Sequence, residues 1–213
     1  MQTIQLKAPY LIFVGDETSD HFAKTGAGIV EWRRSLCKGQ MNLKGGTVDL
    51  GLPSMTIKEA AEANVGSLII GTAFIGGGIP DTWMDTLVEA LLEGMDIVAG
   101  VHTRLKDIPR LREAAEQSGA RLVDVRIPPE KPPVGNGKKR TGKRLLTVGT
   151  DCGSGKKYTA LALEKDMKER GMNVDFRASG QTGIMIAGKG IPIDSVVVDF
   201  ISGAAELLSP DNA

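Results

Sequence analysis

Arg144-Leu145-Leu146-Thr147-Val148-Gly149-Thr150-Asp151-Cys152-Gly153-Ser154-Gly155-Lys156-Lys157-Tyr158-Thr159 is the stretch whose reading decides the fold. Its apolar run, Leu145 to Val148, predicts a buried strand, and Leu161, Leu163 and Met167 recur at helical spacing after the glycines. Strand, then Gly-Ser-Gly-Lys, then helix is the context a phosphate-binding P-loop requires. Glycines let backbone N–H groups turn inward without a Cβ clash. A helix N-terminus and the ammonium of Lys156 add positive charge at the same place. The expected ligand is a di- or triphosphate group.

The stretch departs from the usual G-x-x-x-x-G-K-[ST] pattern in ways that matter. Thr150 stands at the first glycine position, with Gly149 one residue earlier. Lys157 stands where a Ser or Thr hydroxyl would ligate Mg²⁺. Thr159, two residues on, is turned away by roughly 200°, at about 100° per helical residue. Phosphate binding follows from this loop, and magnesium-dependent chemistry does not. A second lysine suits a metal-free, strongly anionic ligand.

Working outward, the whole chain has 213 residues, 41% hydrophobic and 24% charged, which fits two modest soluble domains. Lys plus Arg and Asp plus Glu each number 26, so no net charge points to nucleic acid or an anionic membrane surface. Two cysteines, Cys37 and Cys152, make neither a zinc site nor a disulfide framework by themselves. There is no basic-then-apolar leader and no apolar run of the roughly 18 residues a membrane span needs. A cytoplasmic protein without a metal site is expected.

The first half reads as alternating strands and helices. Strands are expected at Tyr10–Val14, Thr47–Leu50, Ser67–Ile70, Ile97–Gly100 and Leu122–Arg126. Helices are expected at Gly28–Cys37, Ile57–Ala63, Thr82–Glu93 and Leu111–Ser118, several of them stopped by glycine. This alternation predicts an α/β fold whose N-terminal domain, residues 1–128, is a Rossmann-like parallel sheet. No G-x-G-x-x-G follows a strand directly, so a dinucleotide site is not expected. Gly76-Gly77-Gly78 falls at the end of a strand, where it either lines a cleft or simply turns. His102 follows the next strand and is either an acid–base group or a hydrogen-bonded structural residue.

Residues 129–143, rich in Pro and Gly and then basic from Lys138 to Lys143, read as a linker. Residues 144–213 then read as a P-loop NTPase-like α/β domain. Asn173–Ala178 predicts a strand leading into the loop Ser179-Gly180-Gln181-Thr182-Gly183. Ser195–Phe200 predicts another, in which Asp199 is either a Walker B-like carboxylate or a helix cap. Open sheets commonly hold about five or six strands. So few strands after the P-loop predict a truncated domain, or one completed by another chain.

The P-loop resembles the GTD-type loop of dethiobiotin synthetase. More closely, three motifs resemble one family across both halves: GTDC-x-x-GKK at 149–157, SGQTG-x-x-IAG-x-G-x-PID at 179–194 and DF-x-SGAAE at 199–206. Gly51-Leu52-Pro53 and Gly100-Val101-His102 join them. That family was long called a domain of unknown function or an NAD-dependent epimerase or dehydratase, and its characterised members are similar to D-glutamate N-acetyltransferases. The resemblance implies acetyl-CoA as cosubstrate and D-glutamate as acceptor, and family members run roughly a hundred residues further, about one domain increment.

In that reading Gly149, Thr150, Asp151, Gly153, Gly155, Lys156, Lys157, Tyr158 and Thr159 bind the CoA phosphates. Ser179, Gly180, Gln181 and Thr182 bind substrate or orient the thioester, and Asp199, Glu206 and His102 are the candidate proton acceptors. A homo-oligomer, a dimer, is expected. The alternative is an ATP-dependent ligase or kinase acting on a small carboxylate, with Mg²⁺ near Asp151 or Asp199. A third reading is a CoA- or nucleotide-sensing protein without chemistry.

Overall fold

The computed structural model describes residues 4–72, 77–128, 131–151, 154–209 and 211. In chain order the elements are β1 (Ile4–Gln5), β2 (Tyr10–Gly15), α1 (Lys24–Arg33), β3 (Cys37–Asn42), α2 (Ile57–Glu62), β4 (Ser67–Ile70) and α3 (Met84–Leu92). There follow β5 (Asp96–Ala99), α4 (Pro109–Ser118), β6 (Leu122–Asp124), α5 (Lys156–Glu169), α6 (Gln181–Ala187), β7 (Lys189–Gly190) and α7 (Ile201–Leu208).

Five strands form one parallel sheet in the order β3-β2-β4-β5-β6. A parallel sheet is covered on both faces, so its inner strands are apolar throughout instead of alternating. Tyr10 to Val14 and Leu68 to Ile70 are all buried. Leu11, Phe13, Leu68 and Ile70 pack with Trp83, Leu87, Leu91 and Leu111, the cover supplied by the segment leading into α3 and by α3 and α4. Tyr10, Ile12, Val14 and Ile69 face the other way, against Ile29 and Val30 of α1.

Leu161 of α5 and Ile184 and Ile186 of α6 belong to that same second cluster. Helices from the C-terminal half therefore cover one face of the N-terminal sheet. Burying such a side chain contributes about 1.5–3 kcal/mol, so the two halves share a core. Further contacts cross between them. β1 pairs antiparallel with β7, Ile4 opposite Gly190, and buried Glu164 of α5 meets Arg33 of α1 at 3.5 Å.

Several expectations are corrected. The strand expected at Thr47–Leu50 is a loop, and the second strand is instead β3, beginning where a helix was expected to end. Buried Gln40 of β3 explains the loop: its side chain accepts from Leu50 N at 2.7 Å and donates to Val48 O at 3.3 Å. Those backbone groups are satisfied by one amide side chain rather than by a ladder. The helix expected at Gly28–Cys37 runs from Lys24 to Arg33.

In the second half, Leu145–Val148 forms no strand, and Leu145, Leu146 and Val148 are 62%, 83% and 81% exposed. A strand needs a neighbour to hydrogen-bond, and among the described residues none lies beside it. Asn173–Ala178 contributes one isolated bridge, Ala178 to Gly190, in place of a strand. Ser195–Phe200 is folded into two tight 3-10 turns, Ile193–Ser195 and Val198–Phe200. The helix predicted after Gly155 is present as α5.

Candidate active site at the carboxyl edge of the sheet

Parallel strands bring all their carboxyl ends to one edge, and open α/β sheets bind ligands there. After β2, Gly15 turns at φ +60°, and a Cβ on it would lie 2.0 Å from Trp83 Cζ2. The indole fills that space, meeting Phe13 edge-on at 4.7 Å and donating from Nε1 to Asp16 Oδ1 at 2.8 Å. This edge is rigid.

After β5 the chain continues through Gly100 to His102. The His102 and Thr103 amides donate to Gly77 O at 2.9 and 3.4 Å. A Cβ on Gly77, itself at φ +68°, would lie 2.3 Å from His102 Cδ2. Of the glycine cluster expected either to line a cleft or simply to turn, Gly77 backs His102, Gly78 faces open space, and Gly76 lies outside the described residues.

His102 borders a cavity of about 440 Å³ together with Arg104, Arg126 and Ser195, over Val101 and Ile127. Arg126 is fixed by its Nε, which donates to Gly100 O at 2.6 Å. The loop carrying Arg104 is tied down where Leu105 N donates to Asp124 Oδ1 at 2.9 Å. Burial pushes the Asp124 carboxyl up from its ordinary range, against the backbone hydrogen bond and the pull of nearby Lys106 and Arg104.

Ser195 closes the cavity from the C-terminal half. On the same edge Gln181, first residue of α6, lies over Gly100, where a Cβ would be 3.4 Å from Gln181 Cγ. The structure therefore brings His102 and Gln181 to the same loop. Thr182 is half-buried in the first turn of α6, Gly180 is its extended N-cap, and Ser179 O accepts from Ile193 N at 2.9 Å.

The P-loop segment folds back on itself. Gly155 sits at φ +89° and opens α5 without a side-chain cap. The Lys156 ammonium donates to Asp151 O and lies 3.2 Å from Ser154 Oγ, and Ser154 Oγ donates to Asp151 O at 3.0 Å. Thr147 Oγ1 donates to Lys156 O at 3.0 Å. The lysine thus caps a loop carbonyl.

Lys157 Nζ lies 4.3 Å from the Tyr158 ring centroid, and burial pushes its ammonium below the usual lysine range. Tyr158 in turn stacks on Trp32 of α1, with centroids 6.3 Å apart and planes 16° apart. Gly149, Thr150, Asp151 and Thr159 are exposed, and Thr159 N makes the helix bond to Gly155 O. Gly153 and Cys152 lie outside the described residues.

Neither acidic candidate is among the residues that border the cavity. Asp199 is exposed on the turn Val198–Phe200. Glu206 of α7 accepts from the Asn136 and Gly137 amides at 3.0 and 2.8 Å and pairs with Arg140 at 3.0 Å. Those backbone bonds, then Arg140, hold its carboxyl below the usual range. Its oxygens are engaged in clamping the linker onto α7.

Arg104, Arg126 and Ser195 were missed by reading the sequence. The available signal was a cation closing the run Leu122–Arg126 and a second one two residues after His102. Among the described residues no group of three or more His, Cys, Asp or Glu side chains is placed to hold a metal, and no helix is long and apolar enough to cross a membrane.

Residues 41–128 match a family described as "Domain of unknown function (DUF1611_N) Rossmann-like domain", and residues 133–213 match "Domain of unknown function (DUF1611_C) P-loop domain". A D-glutamate N-acetyltransferase of Tritonibacter scottomollicae is 47% identical over 207 residues, covering 97% of this chain and 62% of that protein. One from Pseudoalteromonas sp is 46% identical over 208 residues, covering 98% and 63%. The crystal structure of a DUF1611 family protein from Anabaena variabilis aligns with a TM-score of 0.76 at 33% identity, covering 95% of this chain and 62% of that one. The chain thus spans less than two thirds of the length of the curated relatives it matches.

Proposed function

The chain belongs to the DUF1611 family, its first half to the Rossmann-like domain and its second to the P-loop domain, and from that premise we propose that it acts in transferring acetyl from acetyl-CoA to the amino group of D-glutamate. The observation that carries this is the identity of 47% across 97% of the chain to a protein named for that activity.

The chemistry of the sites supports the same reading. CoA bears a pyrophosphate and a 3′-phosphate and needs no catalytic magnesium, so a P-loop with Lys157 at the metal-hydroxyl position suits it. Lys156 exchanges the Asp151 carbonyl for a phosphate oxygen, and the opening turn of α5 adds its amides. CoA's phosphates and thioester lie at opposite ends of a long pantetheine arm. A phosphate site on the P-loop and an acceptor site at the sheet edge are therefore compatible.

In the reaction the neutral amine of D-glutamate attacks the thioester carbonyl carbon. The C–N bond forms, the C–S bond breaks, CoA leaves as a thiolate, and the amine's extra proton passes to a base. His102 is the proposed base, because it borders the cavity at the carboxyl edge, whereas Glu206 is committed to the linker. Gln181, beside Gly100, and Thr182, next to it in the first turn of α6, are the proposed donors to the developing oxyanion. The protein is proposed to work in the cytoplasm as a homo-oligomer.

Incubation with acetyl-CoA and D-glutamate should release CoA thiol and N-acetylglutamate in equal amounts, followed by a thiol reagent and by mass spectrometry. Magnesium-dependent ATP consumption with a carboxylate, and none of acetyl-CoA, would replace this reading with the ligase or kinase one. His102→Ala should lower kcat about 10²–10⁴-fold while leaving KM for acetyl-CoA unchanged.

A further inference from the structure

The cavity at the ends of β5 and β6 is cationic. Arg104 and Arg126 both border it, and among the described residues neither guanidinium has a carboxylate within ion-pair distance. Arg33, Arg110, Arg121, Arg140, Arg170 and Arg177 each have an acidic partner, and Arg34 and Arg112 donate to backbone carbonyls. A guanidinium keeps its charge at any working pH. Two guanidiniums without a direct ion pair at a concave site repel each other and attract anions, and a bound ligand's negative charge would stabilise that arrangement.

Local structure holds both in place. Arg126 is anchored through Nε to Gly100 O, which leaves the two terminal nitrogens of its planar fork available for a bidentate carboxylate. Arg104 rides on the loop that Asp124 fixes through the Leu105 amide. Ser195 adds a hydroxyl from the opposite half, and Val101 and Ile127 give an apolar floor for a short methylene chain. The volume, about 440 Å³, falls in the range of small-molecule sites.

We propose that this cavity is the acceptor subsite, and that Arg126 and Arg104 select a small dicarboxylate by taking one carboxylate each. The inference rests on the acetyl-transfer reading for the identity of the acceptor, but the subsite itself is a binding claim that stands or falls separately. It gives His102 a further meaning: a base on the same wall meets the amine of an acceptor whose two carboxylates are already held. It also makes the two arginines specificity-determining residues, distinct from the base.

The test is calorimetric titration of the protein with glutarate, D-glutamate and D-glutamine, without acetyl-CoA. Glutarate and D-glutamate should bind, and D-glutamine, lacking the second charge, should bind at least tenfold more weakly. Arg126→Ala and Arg104→Ala should each weaken glutarate at least tenfold, and the one of the two that removes the partner of the side-chain carboxylate should bring D-glutamate and D-glutamine to within about twofold of one another. Arg126→Lys and Ser195→Ala, checked for an unchanged circular dichroism spectrum and unfolding midpoint, guard against a variant that merely misfolds. Arg126→Lys should bind glutarate more weakly than wild type.

Glutarate bound equally by wild type and both alanine variants would overturn the proposal, as would wild type binding neither dicarboxylate. Acetyl transfer with an unchanged KM for D-glutamate in both variants would overturn the subsite and spare the transferase reading. Arginine-dependent dicarboxylate binding without acetyl transfer would do the reverse.

Discussion

Glu164→Ala tests how the second half of the chain is fixed to the first. The Glu164 side chain is 7% exposed and sits between three donors: Lys168 Nζ at 2.7 Å, Phe176 N at 3.0 Å and Arg33 at 3.5 Å. Burial alone would push its carboxyl up. The Lys168 hydrogen bond, the Phe176 amide and the charges of Lys168 and Arg33 outweigh that and hold it below the usual glutamate range.

Breaking a buried ion pair by removing one partner costs about 3–5 kcal/mol when the other charge is stranded. Arg33 and Lys168 are 27% and 53% exposed, so water recovers most of their solvation. The Phe176 amide, by contrast, loses its acceptor, at about 1–3 kcal/mol. Together these give about 2–3 kcal/mol for Glu164→Ala and about half that for Glu164→Gln, which retains an acceptor oxygen.

Urea unfolding at neutral pH reads both values. The folded carboxyl titrates below its unfolded value, so its contribution is complete above the ordinary glutamate pKa and is lost as pH falls through the depressed one. The gap between wild type and Glu164→Gln should therefore close on acidification. A cost below about 0.5 kcal/mol for the alanine variant, in the range of an ordinary surface change, would refute the reasoning, and so would a glutamine variant as unstable as the alanine one.

Three other outcomes follow from the structure. Lys156→Ala should weaken acetyl-CoA binding at least tenfold by calorimetry, because a charge-assisted hydrogen bond contributes about 1.5–3 kcal/mol. Gly15→Ala, which adds a Cβ 2.0 Å from Trp83 at a positive φ, should cost about 2–4 kcal/mol and shift the tryptophan emission. Burial raises the Cys37 thiol to about 11, so in a Cys152→Ser background the native protein should resist a thiol reagent at pH 8 and react once unfolded. The sign for stability is the opposite of that for Glu164: it is complete below the ordinary thiol value and declines as pH rises toward 11.

What the sequence made legible was whatever local pattern and burial agreed on. Ser67–Ile70, three apolar residues after a serine with a glycine on each side, is a central strand of those bounds. The strand Cys37–Asn42, with its lysine, glutamine and asparagine, hides because it lies at the sheet's edge, where polar side chains are tolerated. Leu145–Val148 misleads in the opposite sense, since β-propensity states what a segment suits and not whether a neighbour is there to pair with.

The site divides the same way. The glycine-rich loops and His102 announce themselves by residue type and spacing. Arg104, Arg126 and Ser195 converge only because β5, β6 and the turn at Ile193–Ser195 are folded together, across about 90 residues of chain, roughly the length of a small domain. Gln181 reaches Gly100 through the docking of α6, which no local pattern encodes.

The linker has a consequence of another kind. Its backbone is strapped to α7 by Glu206 at Asn136 and Gly137, and to the segment after α7 by Asp211 at Thr141, while β1 clasps β7 and α6 shares a core with β2 on either side of it. A protease cut among residues 138–144 would sever the covalent connection and little of the packing. The nicked protein should elute as one species, and residues 1–137 and 145–213 supplied as separate polypeptides should find each other and assemble, each being the template on which the other folds.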